Sequence, residues 1–519
     1  MGIFIRQKRI FIVSCGLSPL GGFIVSMNRF LEMLIGILSW GTLLGLLFLS
    51  WKVPFAVAIF IVLYDLFWFL KTVYLFFHLR YSFSRMKKNI ATNWVEKLNE
   101  EKCSWEHIRH LIVLPIYKES YDVIRETIVS FTEINYPTEK IFILLAPEER
   151  GGMKDGAERV REEFKEKFGG FAVVEHPAGI PGELPGKGSN ETFAVRKAIS
   201  ELVLPSGIPI EHFLVSVFDI DTRPGKEYLG ILTHSYCVAP HPDRSSYQPI
   251  PVFTSNIHKV PIFARLIGFS STFWQLMQQA RPEQLVTFSS HSMPLKALQE
   301  IGFWHTDIVS EDSRIFFQCF EHYKGDWRVV PLLYPVYMDL VEGETIFQAM
   351  KNLYKQQRRW AWGIENIPYV LKNFWKSKTM SLRKKIFWTF TLLDGFHSWA
   401  TSSFIIFLFG FLPNVLGGAV FHQTVTSYNL PKITGFIINL STFGIITSAF
   451  LSVRLLPPRD NQKHKWYEVI YYLAQWFLIP VTFIFFSAIP ALESQTRMML
   501  GGKFKLGFWV TPKGVAQKK

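Results

Sequence analysis

"HFLVSVFDID" (residues 212–221) decides how the middle of this chain is read. Apolar side chains run almost unbroken until two aspartates, Asp219 and Asp221, close the segment. A run of this kind is what a strand buried on both faces of a parallel sheet looks like. Three earlier segments share the pattern: "HLIVLPIY" (110–117), "KIFILLAP" (140–147) and "GFAVVEHP" (170–177). Between them lie stretches with helical apolar spacing, "SYDVIRETIVSF" (120–131), "DGAERVREEFKEKF" (155–168) and "NETFAVRKAISEL" (190–202). Alternating strands and helices predict an α/β domain whose mostly parallel sheet is wrapped by helices. Ligands then bind outside the carboxyl ends of the strands.

Composition sets this domain in a wider frame. The 519 residues are 49% apolar and 16% aromatic, yet 19% charged. That mixture predicts membrane spans around a water-facing domain. Runs at 30–51 and 53–77 are long enough to span, and apolar runs return at 386–412, 433–453 and 469–492. The expected organisation is a leader over 1–29 and two spans over 30–79. An α/β domain over 90–345 and interfacial helices over 346–385 follow. About three spanning or interfacial helices over 386–492 and a basic tail over 493–519 complete the chain. The net charge of +14 gathers beside the apolar runs, at 80–88, 376–385 and 454–465. This is the positive-inside pattern; it puts the α/β domain in the cytoplasm of an integral membrane protein and argues against nucleic acid as a partner. Two spans before the domain and three after it would leave the basic tail outside. Either 386–412 includes an interfacial helix, or the run interrupted by Pro480 is re-entrant. The four cysteines show no metal-type spacing, as in a reducing compartment.

The chemistry-bearing residues fall at strand ends or in loops that can reach them. "GELPGKGSNETF" (182–193) resembles a phosphate-binding P-loop but fails at both ends. Pro181 stands where the first glycine belongs, and Gly188 replaces the hydroxyl residue. Its glycines and following helix still suit an anion, the plainer alternative being a loop with a solvated Lys187. Asp219 and Asp221, two apart in an extended segment, point the same way and can share one hard divalent cation. "IVSEDSR" (308–314) supplies Glu311 and Asp312, which either cap a helix or provide a general base. "LYKQQRRWAWG" (353–363) packs Gln356, Gln357, Arg359 and Trp360 together. It is either an interfacial helix with Arg on lipid phosphates, or a platform for sugar and diphosphate.

In this order the motifs resemble those of membrane-integrated family 2 glycosyltransferases, the group of cellulose, chitin and hyaluronan synthases. The resemblance covers roughly residues 105–515 and adds "VLPIYKES" (113–120) and "FWVTPKG" (508–514) to the segments above. It implies a GT-A fold domain flanked by transmembrane helices, acting on a nucleotide-diphosphate sugar. Carried over, Asp219 and Asp221 would hold Mg²⁺ or Mn²⁺ and the diphosphate, and Asp312, beside Glu311, would be the base. Gln356, Gln357, Arg359 and Trp360 would shape the acceptor end and contact pyrophosphate. Lys187 and Asn190 would lie near the nucleotide, with Thr511 and Lys513 closing over it.

One departure stands out. The family usually carries Asp at the end of the second strand, against the nucleotide base. Here the strand ends "LLAPEER", so Glu148 or Glu149 takes that place and the base stays open. The acceptor-side "SSHSMPLKAL" (289–298) also departs from the usual glycine-opened loop. The resemblance thus implies inverting transfer to a saccharide or lipid-linked acceptor, processive or single. The alternative is a non-catalytic membrane scaffold that keeps the fold. A transporter would show repeated halves and polar residues inside the spans; neither is evident in the sequence.

Overall fold

All four expected strands are present in the computed structural model, which describes residues 19–101, 103–457 and 465–510. Two long helices come first, α1 (Pro19–Lys52) and α2 (Pro54–Ile90). The helix α1 runs through part of the segment expected as a leader. Strands β1 (Arg109–Ile116), β2 (Ile141–Pro147), β3 (Gly170–Val173) and β4 (Phe213–Val217) then lie parallel in the order β3-β2-β1-β4. Four further strands extend the sheet: β5 (Arg223–Pro224), β6 (Ser245–Phe253), β7 (Ser292–Pro294) and β8 (Arg328–Met338). Here β7 runs antiparallel to both β4 and β6, while β6 and β8 are parallel.

The apolar runs follow from burial on both faces. Leu111 and Val113 of β1 point into one core, which they share with Val215 and Val217 of β4 and Ala194 and Val195 of α5 (Lys187–Ala198). Ile112, Leu114 and Ile116 point into the other, against α3 (Tyr121–Thr132) and α4 (Lys154–Phe164). Period-two alternation of strand side chains accounts for both cores from one continuous apolar segment.

Two boundaries differ from expectation. β3 ends at Val173, although Val174 N–H and His176 N–H still donate to Leu145 O and Pro147 O. β4 stops at Val217, four residues before the second aspartate, because its pairing with β1 ends there. The chain then turns, Thr222 N–H donating to Asp219 O at 2.8 Å. The two aspartates are therefore not held in an extended segment, the condition on which their expected shared direction rested.

The remaining helices that matter are α6 (Ile262–Gln279), α7 (Glu311–His322), α8 (Ile346–Ala361), α9 (Asn366–Lys376), α10 (Leu382–Phe407), α11 (Val425–Leu455) and α12 (Trp466–Leu500). Among the described residues four helices are long and apolar enough to cross a membrane: Met27–Lys52, α2, α11 and α12. The helix α10 followed by Phe409–Leu416 makes a fifth if the pair, bent by 51°, counts as one span. The sharp break thus falls after Phe407, while the segment around Pro480 stays helical. A third apolar core ties the sheet to these helices: Leu79 and Phe83 of α2, Val252 of β6, Phe269 of α6 and Trp476 of α12 pack together.

Candidate active site

The carboxyl ends of β1, β2 and β4 open onto a cavity of about 1920 Å³. Its wall at β2 is Glu148, the first residue beyond the strand. That buried carboxylate accepts from Arg150, whose guanidinium lies 5.2 Å over the Tyr117 ring. Burial raises the Glu148 pKa, and Arg150 partly offsets the rise. The other candidate, Glu149, does not line the cavity; its Oε2 accepts Ala178 N–H at 2.7 Å.

Lys187 opens α5 rather than sitting in the preceding loop. Gly186, extended at φ 168°, delivers it there, and a Cβ on Gly186 would lie 2.8 Å from Phe508 Cγ. Lys187 Nζ is 2.8 Å from Asp219 Oδ1 and 3.5 Å from Glu191 Oε1. Desolvation works against the ammonium, but Asp219, Glu191 and Glu311 outweigh it, so the pKa is raised and Lys187 stays charged. The plainer expectation of a solvated lysine does not survive this geometry. Asn190 lines the same wall but is tied to the sheet, its Nδ2 donating to Ala146 O at 2.7 Å.

The two aspartates after β4 part company. Asp219 faces the cavity and the ammonium. Asp221 is fully buried behind it, 0% exposed, with Oδ2 accepting Asp339 N–H at 3.3 Å. Among the described residues no cluster of three or more His, Cys, Asp or Glu could hold a metal. A hard ion such as Mg²⁺, however, takes one or two carboxylates and completes its shell with water and phosphate oxygens. Asp219, open to the cavity with Asp221 behind, fits that donor set in kind.

Glu311 and Asp312 form the first turn of α7. Both carboxyl pKa values are raised. Burial is the main cause for each, with Asp312 adding to the rise at Glu311, while Lys187 opposes both. Asp312 is half-buried and lines the cavity, whereas Glu311 is buried beside Lys187. Asp312 is also held in place: Ser313 N–H donates to its Oδ1 at 2.7 Å, and Thr287 Oγ1 donates to its carbonyl at 2.6 Å.

Across the cavity α8 presents Gln356, Gln357, Arg359 and Trp360. Arg359 lies 5.2 Å over the Phe508 ring, and Trp360 packs on Phe253 with centroids 5.8 Å apart. The opposite face of α8 is anchored to α12, where Arg358 pairs with Glu493 at 2.7 Å.

The structure therefore brings Glu148, Lys187, Asn190, Asp219, Glu311, Asp312, Gln356, Gln357, Arg359 and Trp360 to one cavity. Asp221 and Glu149 stand outside its lining. Thr511 and Lys513 lie outside the described residues. The cavity also continues among the apolar helices to Asp65 and Lys71 of α2 and Asp394 of α10. Polar groups thus do enter these helices, contrary to the sequence reading. One site residue was missed. Glu191 is 0% exposed, neither of its oxygens accepts a hydrogen bond, and its ion-pair contact is Lys187. Its position four residues after Lys187 on a helix was the available signal.

The model of the family described as "Glycosyl transferase family group 2" matches residues 214–489, a span holding Asp219, Asp312 and Trp360. No curated protein sequence matches the chain. The mannosyltransferase PcManGT from Pyrobaculum calidifontis, solved with GDP-Man and Mn²⁺, is 12% identical. That match covers 72% of this chain and 99% of that one, with a TM-score of 0.36. The S. aureus TarS 1–349 structure with UDP-GlcNAc is also 12% identical, covering 76% and 91% with a TM-score of 0.37. Likeness at this level carries nothing about substrate.

Proposed function

Because the chain belongs to glycosyl transferase family group 2, we propose that it transfers a sugar from a nucleotide-diphosphate sugar to a hydroxyl acceptor while held in a membrane. The acceptor is either a growing saccharide, extended processively, or a lipid-linked molecule given a single sugar. The basic clusters beside the apolar helices favour a cytoplasmic site. One observation carries the reading: the Lys187–Asp219 pair, Asp312 and the Gln356–Trp360 segment face one cavity.

The roles follow from charge and reach. Asp312 is the general base. Its carboxylate takes the acceptor O–H proton as that oxygen attacks the anomeric carbon. The bond from that carbon to the diphosphate oxygen breaks, and its electron pair leaves with the nucleoside diphosphate. Attack opposite the leaving group inverts the anomeric configuration. Lys187 and Arg359 balance the charge of the diphosphate, and Trp360 offers a face for a sugar ring. A divalent cation held at Asp219, with Asp221 behind it, would further neutralise the departing diphosphate.

The test supplies purified protein with a panel of nucleotide sugars and Mg²⁺ or Mn²⁺, and measures free nucleoside diphosphate. Release from at least one donor, abolished by Asp312→Asn, is expected. No release from any donor would leave the non-catalytic scaffold as the surviving reading. Single-sugar lipid products without polymer would remove processivity alone.

A further inference from the structure

The short turn Trp362–Glu365 joins α8 to α9 and carries a carboxylate that the reaction above does not use. Glu365 Oε1 accepts from Val309 N–H at 3.0 Å, Ser310 N–H at 2.7 Å and Ser310 Oγ at 2.6 Å. Its Oε2 accepts from Trp362 Nε1 at 3.2 Å. Ser310 is the N-cap position of α7, yet its side chain makes no cap bond to that helix. The N-terminus of α7 instead meets a carboxylate supplied by a separate segment, where the helix dipole favours negative charge. Two neighbouring bonds reinforce the joint: Arg314 Nε donates to Asn366 Oδ1 at 2.6 Å, and Asn366 Nδ2 to Ser313 Oγ at 2.9 Å.

We infer that Glu365 is a positioning residue that fixes the helix start bearing Asp312 against the segment bearing Arg359 and Trp360. Residues 309–310 immediately precede the acidic pair, and residues 362–365 begin one residue after the Arg359–Trp360 pair. Three donors on one oxygen thus bolt the base side of the cavity to its diphosphate and acceptor side. This rests on the transferase reading, in which Asp312 must meet an acceptor hydroxyl held by α8. A displacement of about 1 Å at such a joint costs on the order of a hundredfold in rate.

The experiment compares Glu365→Ala and Glu365→Gln with wild type in the full-length detergent-solubilised protein. It measures kcat, the Kd of nucleoside diphosphate, the thermal midpoint and amide exchange at residues 309–310. Expected for Glu365→Ala is a kcat fall of roughly ten- to a hundredfold. Nucleotide Kd should stay within about twofold and exchange at 309–310 should accelerate, with Glu365→Gln intermediate in both. Unchanged exchange together with kcat near wild type would overturn the inference. So would kcat, nucleotide affinity and thermal midpoint falling in parallel, the sign of a general structural support. A wild type that releases no nucleoside diphosphate sinks the transferase reading instead, and the exchange measurement still decides whether Glu365 pins this joint.

Discussion

Two helices flank the same parallel strands on opposite faces, and they treat charge in opposite ways. The helix α4 buries Ala157, Val160 and Phe164 and leaves its charges outside, where Arg161 pairs with Glu158 and Glu162 at 3.0 Å. The helix α5 buries Ser189, Asn190, Glu191 and Thr192, and sets Lys187 among carboxylates. The first is an amphipathic support. The second places charge where water cannot screen it, which is costly to folding and is the arrangement chemistry needs. Apolar patterning marks α4 as structure, and buried charge marks α5 as site.

Breaking the α5 side should have the largest effect. Lys187→Met leaves Asp219, Glu191 and Glu311 facing one another uncompensated. The expected loss is about 3–5 kcal/mol of stability, read by denaturant unfolding, together with loss of detectable release. Unchanged stability would mean that the ammonium is not the hub of the cluster.

Next is Gly186→Ala, whose Cβ would meet Phe508 at 2.8 Å against the ring, a closer approach than carbon contacts allow. Displacing the 506–510 segment from the loop and from Arg359 should lower kcat/KM by roughly tenfold. An unaltered rate would show that the segment yields freely. The pH profile gives a smaller, directional effect. The Asp312 pKa is raised by burial, so its basic form is lost as pH falls. The acid limb of kcat/KM should therefore lie above the ordinary aspartate value of about 4. A limb at the ordinary value would contradict Asp312 as the base.

The smallest effect is expected on α4. Arg161→Ala removes only exposed pairs and should leave release unchanged and the thermal midpoint within about 2 °C. A large change there would erase the contrast between the two helices.

Much of this was legible in the sequence because burial on both faces of a strand writes itself as an unbroken apolar run. That is why β1 and β2 were found nearly to the residue, and β4 at its start. The end of β4 was misjudged for the same reason: Phe218 and Ile220 continue the apolar run into a turn, since both stay buried there. The turn separates Asp219 from Asp221, and no local pattern records it. Residue type made Lys187, Asp312, Arg359 and Trp360 candidates, but only the approach of α5 to the turn after β4 shows Lys187 as an ion-pair hub. Glu191 and Glu365 escaped because a glutamate on a helix or turn is ordinarily a solvated residue, and their burial is a property of the tertiary structure.

The central claim is that Asp312 is the base of a sugar transfer carried out in this cavity. Its most direct test is nucleoside diphosphate release from a panel of nucleotide sugars by wild type and Asp312→Asn, with the folded fraction of each matched. The account predicts release from at least one donor by wild type, and a fall of about 10²–10⁴-fold in the variant. Equal release by the two proteins, or none by either from any donor, would contradict it.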